Sequence, residues 1–272
     1  MCLLIFAHRT DPQLPLVLAA NRDEFHARPT AASRFWPDKP GLLAGRDLEQ
    51  GGTWMGVTRS GRFAAITNYR DPARTAPAPR SRGELPLAYL TGDMAPEDFL
   101  RALQPDAGAY AGFNLLVGSA HSLWYLTNSA GPEGHTHPRQ LAPGIYGLSN
   151  AQLDTPWPKV ETGKRRLRDL LQRQPLSHDT LLSVVSDRGL ADAETLQQQG
   201  MGSDMDRLLS AQFITTARYG TRSSTSLWVD GSGSVNWREL SFDAQADVIG
   251  QRQESFRVQS PGRKPAGSGH PV

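Results

Sequence analysis

The chain opens with MCLLIFAHRTDPQLPLVLAANRDEF, residues 1–25, and this stretch decides how the rest is read. Two short apolar runs, Cys2 to Ala7 and Leu16 to Ala20, flank the turn-rich HRTDPQLP. Apolar runs on either side of such a break predict a β-hairpin at the very start of the fold. The single cysteine among 272 residues stands at position 2, and the second run leads directly into Asn21, Arg22, Asp23 and Glu24. A hairpin returns the end of its second strand to the start of its first, so the thiol and this polar tetrapeptide are expected to meet.

Met1 is followed by a small residue, so trimming to a mature N-terminal Cys2 is expected. A free α-amine titrates at roughly 7.7 to 8 and a thiol at roughly 8.5, so the amine can take the thiol proton near neutral pH. The alternative is that Cys2 is a small apolar residue at a strand start. Strand alternation puts Asn21 and Asp23 on one face and Arg22 and Glu24 on the other. Either the chain bends at NRD, or only one of Arg22 and Asp23 meets Cys2. Asp23 is the expected partner, orienting the amine, whereas Arg22 would favour a thiolate by its charge. A surface ion cluster of Arg22, Asp23, Glu24 and Arg28 is the competing reading.

Further along, GTWMGVT and RFAAITNY lie on either side of RSG and predict a second hairpin. GELPLAYLTG and APEDFLRALQ predict helices, with Pro96 at a helix start and Glu97 and Asp98 in the first turn. FNLLVGS, SLWYLTN and GIYGLSN read as strands, the last ending at Asn150. PKVETGKRRLRDLLQRQ places Val160, Leu167, Leu170 and Leu171 on one helical face and leaves its basic run to solvent. SHDTLLSVVSD is a further helix, capped by Ser177 or Asp179. FITTARYGTRSSTSLWVD and SVNWRELSF return to strands. Hairpin blocks separated by helix pairs predict an α+β layered protein. Residues 1–258 read as a single domain, and the Gly-, Pro- and Ser-rich run from Gln259 to Val272 as a disordered tail.

Composition narrows the function classes. With 38% hydrophobic and 21% charged residues the chain can build a substantial core. A net charge of +2 argues against a nucleic-acid surface. One cysteine rules out an intramolecular disulfide, and neither a secretory signal nor a membrane span is visible, so a cytoplasmic protein is expected. His135 and His137 in GHTHP lack a third ligand, and no metal site is predicted. TAPAPRSR, residues 75–82, reads as an internal loop.

MCLLIF, AANRDEF, GGTWMGVTRSGRFAAITNYR and GLSNAQLDTPWPK together resemble the transport and Golgi organisation family, also called the NRDE family. That family is similar in turn to cysteine N-terminal-nucleophile hydrolases such as penicillin V acylase and conjugated bile salt hydrolase. The resemblance implies a four-layer αββα sandwich of two antiparallel sheets flanked by helices. It implies Cys2 as nucleophile, Asp23 as the carboxylate binding its amine, Asn68 and Asn150 as the two site asparagines, and Arg222 as the late arginine beside the nucleophile. In the acylases an arginine precedes that aspartate by several residues, whereas Arg22 adjoins Asp23 here. The implied activity is amide or thioester cleavage, or acyl transfer, through an acyl-Cys2 intermediate, with no cofactor required. The alternative implied by the family is a carrier that binds haem or an acyl lipid without turnover, for which His8 and His26 are the candidate iron ligands. Either way the partner is a small molecule.

Overall fold

The structure is a computed structural model that describes residues 2–70, 78–129, 137–173 and 175–259. The trimming of Met1, residues 75–77 of the predicted loop, His135 and the tail from residue 260 lie outside the described residues.

Among the described residues, thirteen strands and six α-helices follow in chain order. The strands are β1 Cys2–His8, β2 Leu16–Phe25, β3 Thr30–Trp36, β4 Lys39–Asp47, β5 Met55–Thr58, β6 Phe63–Asn68, β7 Phe113–Ser119, β8 Ser122–Thr127, β9 Arg139–Gln140, β10 Gly144–Leu148, β11 Tyr219–Val229, β12 Ser234–Phe242 and β13 Val248–Arg257. The helices are α1 Glu84–Thr91, α2 Pro96–Leu103, α3 Pro158–Leu171, α4 His178–Leu182, α5 Ala193–Gln198 and α6 Asp204–Leu208. One sheet has the order β10-β1-β2-β11-β12-β13, the other β3-β4-β5-β6-β7-β8-β9. Every neighbouring pair runs antiparallel.

Three apolar layers hold the sheets. Leu4, Phe6, Leu16 and Leu18 of the first sheet meet Leu43, Val57, Phe63 and Leu116 of the second. Behind the first sheet, Leu3, Ile5, Val17 and Ala19 pack on Val160, Leu167, Leu181 and Val185. Behind the second, Leu42, Ala64 and Ile66 pack on Leu85, Tyr89, Leu90 and Leu100. The arrangement is therefore an αββα sandwich, as expected. It also explains why β1 lacks alternation: both of its faces are covered, so all seven of its residues are buried.

The predicted hairpins and helices take their expected places, and Ser177 rather than Asp179 caps α4. Strands β3, β4, β9 and β13 and helices α5 and α6 are not marked in the sequence pattern. β13 is a largely exposed, polar edge strand, so it presents no apolar run to read. FITTAR was expected to be strand, yet β11 begins only at Tyr219. Thr221 N–H donates to Ile214 O at 2.8 Å and Ile214 N–H to Thr221 Oγ1 at 2.9 Å, so residues 214–220 double back on the strand instead of extending it.

Helix α3 approaches the first sheet through two glycines. A Cβ on Gly147 would lie 2.5 Å from Val160, and one on Gly163 would lie 2.6 Å from Ile5. These are distances that packed carbon atoms do not adopt. Gly163→Ala gains up to about 1 kcal/mol of helix propensity, but overpacking against Ile5 costs roughly 1–3 kcal/mol. The expected result is a lower thermal midpoint, partly recovered in the Ile5→Val double variant, which removes the contacting Cδ1. A midpoint raised by Gly163→Ala alone would show that the close approach is not a constraint.

Candidate active site

The register of the first hairpin sets the site. Cys2 pairs directly with Arg22, and Leu3 with Asn21. Residues directly opposite in an antiparallel ladder share a face, so Cys2 and Arg22 point the same way. Asn21 points the other way: its Nδ2 donates to Val185 O and Gln212 O at 2.8 Å each, and its Oδ1 accepts from Ser224 Oγ at 2.6 Å. It anchors β2 to the segments behind the sheet.

Alternation was expected to admit only one of Arg22 and Asp23 to the thiol, with Asp23 as the partner. The structure brings both to it. On the neighbouring strand the register slips: Thr221 pairs with Asp23 and Ser223 with Arg22, leaving Arg222 as an extra residue. Such a bulge bends the strand and increases its local twist. Asp23 contributes a backbone hydrogen bond to the Cys2 thiol, and its carboxylate Oδ1 accepts from Thr221 Oγ1 at 2.7 Å.

These groups line a cavity of about 990 Å³, a size typical of small-molecule sites. Cys2, Arg22, Asp23, Asn68 and Arg222 all form part of its wall. Asn150 does not. It is buried behind the wall, donating from Nδ2 to Asn68 O at 3.0 Å. Ser149 Oγ, within 3.1 Å of Cys2 O and 3.0 Å of Asn150 Oδ1, links the same residue to the start of β1. Asn150 thus joins the two sheets at the site and reaches the cavity only through Asn68.

The electrostatics are those of a desolvated site. Burial pushes the Cys2 thiol up from its ordinary range, opposed by the Arg22 charge and the Asp23 backbone hydrogen bond. Burial also raises the Asp23 carboxyl, opposed by Lys159, Thr221 and Arg22. Lys159, in the first turn of α3, was read as part of a solvated helix. It is 4% exposed, its Nζ donates to Leu209 O at 2.8 Å, and burial lowers it to about 8. The helical pattern concealed it because Lys159 adjoins the apolar face at Val160; only the TPWPK match drew attention to this segment.

Two further wall residues were missed. Arg82 lines the cavity and donates from Nη1 to Gly112 O at 2.9 Å. Glu239 of β12 is buried at the wall, accepts from Ser33 N–H at 2.7 Å, and is pushed up by burial. No motif marks either residue. As for iron ligands, neither His8 nor His26 belongs to the cavity wall. His8 is fully buried at the far end of β1, and burial holds it down at about 4. The described histidines therefore do not fit an axial ligand in this cavity.

Among the described residues no helix is long and apolar enough to cross a membrane. The conjugated bile acid hydrolase of Clostridium perfringens, in its C2A mutant form, superposes with a TM-score of 0.44 at 10% identity, covering 95% of this chain and 97% of that one. An N-acylethanolamine-hydrolyzing acid amidase ortholog from Caenorhabditis elegans superposes with a TM-score of 0.43 at 11% identity, covering 83% and 92%. Sequence relatives match much more strongly. The Homo sapiens Transport and Golgi organization protein 2 homolog is 35% identical over 284 residues, covering 96% of this chain and 100% of the human protein. The Mus musculus homolog is 35% identical over 260 residues, covering 89% and 93%. The Transport and Golgi organisation 2 family pattern matches residues 1–244, and the chain belongs to that family.

Proposed function

We propose that this protein is a cysteine-nucleophile enzyme that opens an amide or thioester carbonyl through an acyl-Cys2 intermediate. The observation that carries the reading is the placement of Cys2 at the wall of the cavity, paired with Arg22 and hydrogen-bonded to the Asp23 backbone. A thiol packed for structural reasons alone needs none of these three.

With Met1 removed, the Cys2 α-amine accepts the thiol proton, and the sulfur attacks the carbonyl carbon to form a C–S bond. Negative charge develops on the carbonyl oxygen, which Asn68 and the Arg22 guanidinium at the wall can meet as donors. Collapse breaks the bond to the leaving amine or thiol, which takes the proton from the α-ammonium. Water then attacks the thioester, giving its proton to the α-amine, and the acid leaves as the thiol re-forms. Asp23 and Lys159 lie behind this exchange, a carboxyl and an ammonium that oppose each other's burial.

Intact mass should show a protein lacking Met1 that gains a single adduct with an electrophilic amide or thioester probe, mapped to Cys2. Cys2→Ala should take no label and should lose roughly three orders of magnitude or more of any hydrolysis found. A retained Met1, or turnover unchanged in Cys2→Ala, overturns the enzyme reading. Ligand binding that persists in Cys2→Ala without turnover by the native chain favours a carrier.

Lys159 gives a separate test through stability. Its folded value of about 8 lies below the ordinary 10.5, so across that window the unfolded chain holds the extra proton. Stability therefore rises with pH between 8 and 10.5 by up to roughly 3 kcal/mol relative to Lys159→Met, with the burial cost fully present below pH 8. Parallel denaturant titrations across the window measure the difference. Parallel pH profiles for the two proteins would show that Lys159 is not buried as a cation.

A further inference from the structure

Among the described residues, seven arginines and five acidic residues line the cavity. Most of these charges are already matched. Arg28 holds Asp47 at 2.7 Å and Glu49 at 3.4 Å, and lies 4.0 Å from Glu24. Glu24 also lies 3.9 Å from Arg22. Arg46 pairs with Asp38, and Arg80 with Glu84. Arg252 is exposed on the edge strand. Asp23 and Glu239 are held by Thr221 and Ser33 and pushed toward the neutral form by burial.

Arg82 and Arg222 are different. Both line the cavity, both are half-buried, and neither has a carboxylate within ion-pair distance among the described residues. Both are aimed by backbone carbonyls instead. Arg222 Nη1 lies 2.9 Å from Phe25 O, 3.1 Å from His26 O and 3.1 Å from Arg28 O. Arg82 Nη1 donates to Gly112 O, and the segment carrying it is fixed by Thr53 N–H on Gly83 O at 3.0 Å and Arg80 N–H on Ala109 O at 3.2 Å. Gly52 and Gly83 approach so closely that a Cβ on Gly52 would lie 2.5 Å from Gly83 O. One edge of each guanidinium is thus anchored in a rigid frame, and its remaining N–H groups have no hydrogen-bond partner among the described residues. Burial lowers both arginines from their ordinary value. Glu24 acts on both from beyond ion-pair distance and offsets that burial only in part. A bound anion in direct contact relieves the remaining cost while making charge-assisted hydrogen bonds.

We propose that Arg82 and Arg222 form an anion subsite, so that the molecule acted on at Cys2 carries a compact oxyanion, a carboxylate, sulfonate or phosphate, beside its acyl bond. The subsite rests on the acyl chemistry above for its purpose, though its occupancy is measurable without turnover. Two arginines supply paired N–H donors that suit a planar or tetrahedral oxyanion better than a neutral head group.

The test uses the full chain carrying Cys2→Ala, with N-hexanoylglycine and its neutral counterpart N-hexanoylglycinamide, titrated calorimetrically at low and high salt. The acid should bind at least about tenfold more tightly than the amide, and the preference should shrink with salt. Arg82→Gln should abolish the preference, and Arg82→Lys should retain part of it. Because Arg82 also supports Gly112, thermal melts of each variant establish that the comparison is between folded proteins. Equal affinities for the two ligands, or no detectable binding of the acid, overturn the subsite. N-hexanoyl-aminomethylphosphonate and N-hexanoyltaurine, run in parallel, distinguish phosphate-like and sulfonate preference from carboxylate. Probe labelling of Cys2 in the native chain is independent of all of these, so loss of charge preference with labelling intact removes the anion subsite alone.

Discussion

The site depends on one feature of backbone pairing: β11 contributes one residue more than β2 requires where it passes Asp23 and Arg22. In a regular ladder the side chains of adjacent residues diverge to opposite faces. The extra residue breaks that rule locally. Arg22 keeps the face of its ladder partner Cys2, Asp23 supplies a backbone contact to the same sulfur, and Arg222 is pushed out to the cavity wall. Two charged residues of one strand thereby act on the thiol, and a third, from the neighbouring strand, joins them in the cavity wall.

Around that point the polar groups are tied to both sheets. Trp237 Nε1 donates to Ser33 Oγ and Ser33 N–H to Glu239, bridging the two sheets on one side. On the other side, Thr67 Oγ1 donates to Ser149 O at 2.6 Å, and the Ser149 and Asn150 side chains reach Cys2 O and Asn68 O. Bonds of this kind, buried and made to main-chain atoms, fix the separation of the sheets more narrowly than apolar packing does. A cavity can persist between two close-packed layers because its rim is held this way.

Much of this was legible in the residues. The opening hairpin followed from two apolar runs and a polar break, and the α+β layering from hairpins alternating with helix pairs, while the four-layer order was implied by the family resemblance. Cys2, Asp23, Asn68 and Arg222 reach the cavity as their motifs suggested. What stayed hidden was set by pairing partners far away in the chain. The bulge that reconciles Arg22 with Asp23 belongs to a strand some two hundred residues later, and nothing in AANRDEF announces it. Lys159 looked solvated because charge commonly marks an exposed helix face, whereas this one lies under α6 and its Nζ is satisfied by Leu209 O. Arg82 sits in a Gly- and Ser-flanked turn with no periodicity at all, and it is fixed by the approach of Gly52 to Gly83 and by hydrogen bonds to segments distant in sequence. Asn150, implied by the resemblance to be a site asparagine, lies behind the cavity wall, where its contacts are those of a strut.

The order of strands carries one more consequence. β1 lies between β2, a hairpin away, and β10, whose first residue is Gly144, while β2 in turn waits for β11 at Tyr219. β1 therefore gains its second flanking partner only with β10, and the first hairpin gains its outer neighbour only with β11. Pairings this distant in sequence close slowly, because a long loop must be ordered before any contact compensates for it. Arg22 and Asp23 thus reach the thiol with the first hairpin, whereas the part of the cavity wall carrying Arg222 is added only when β11 joins β2.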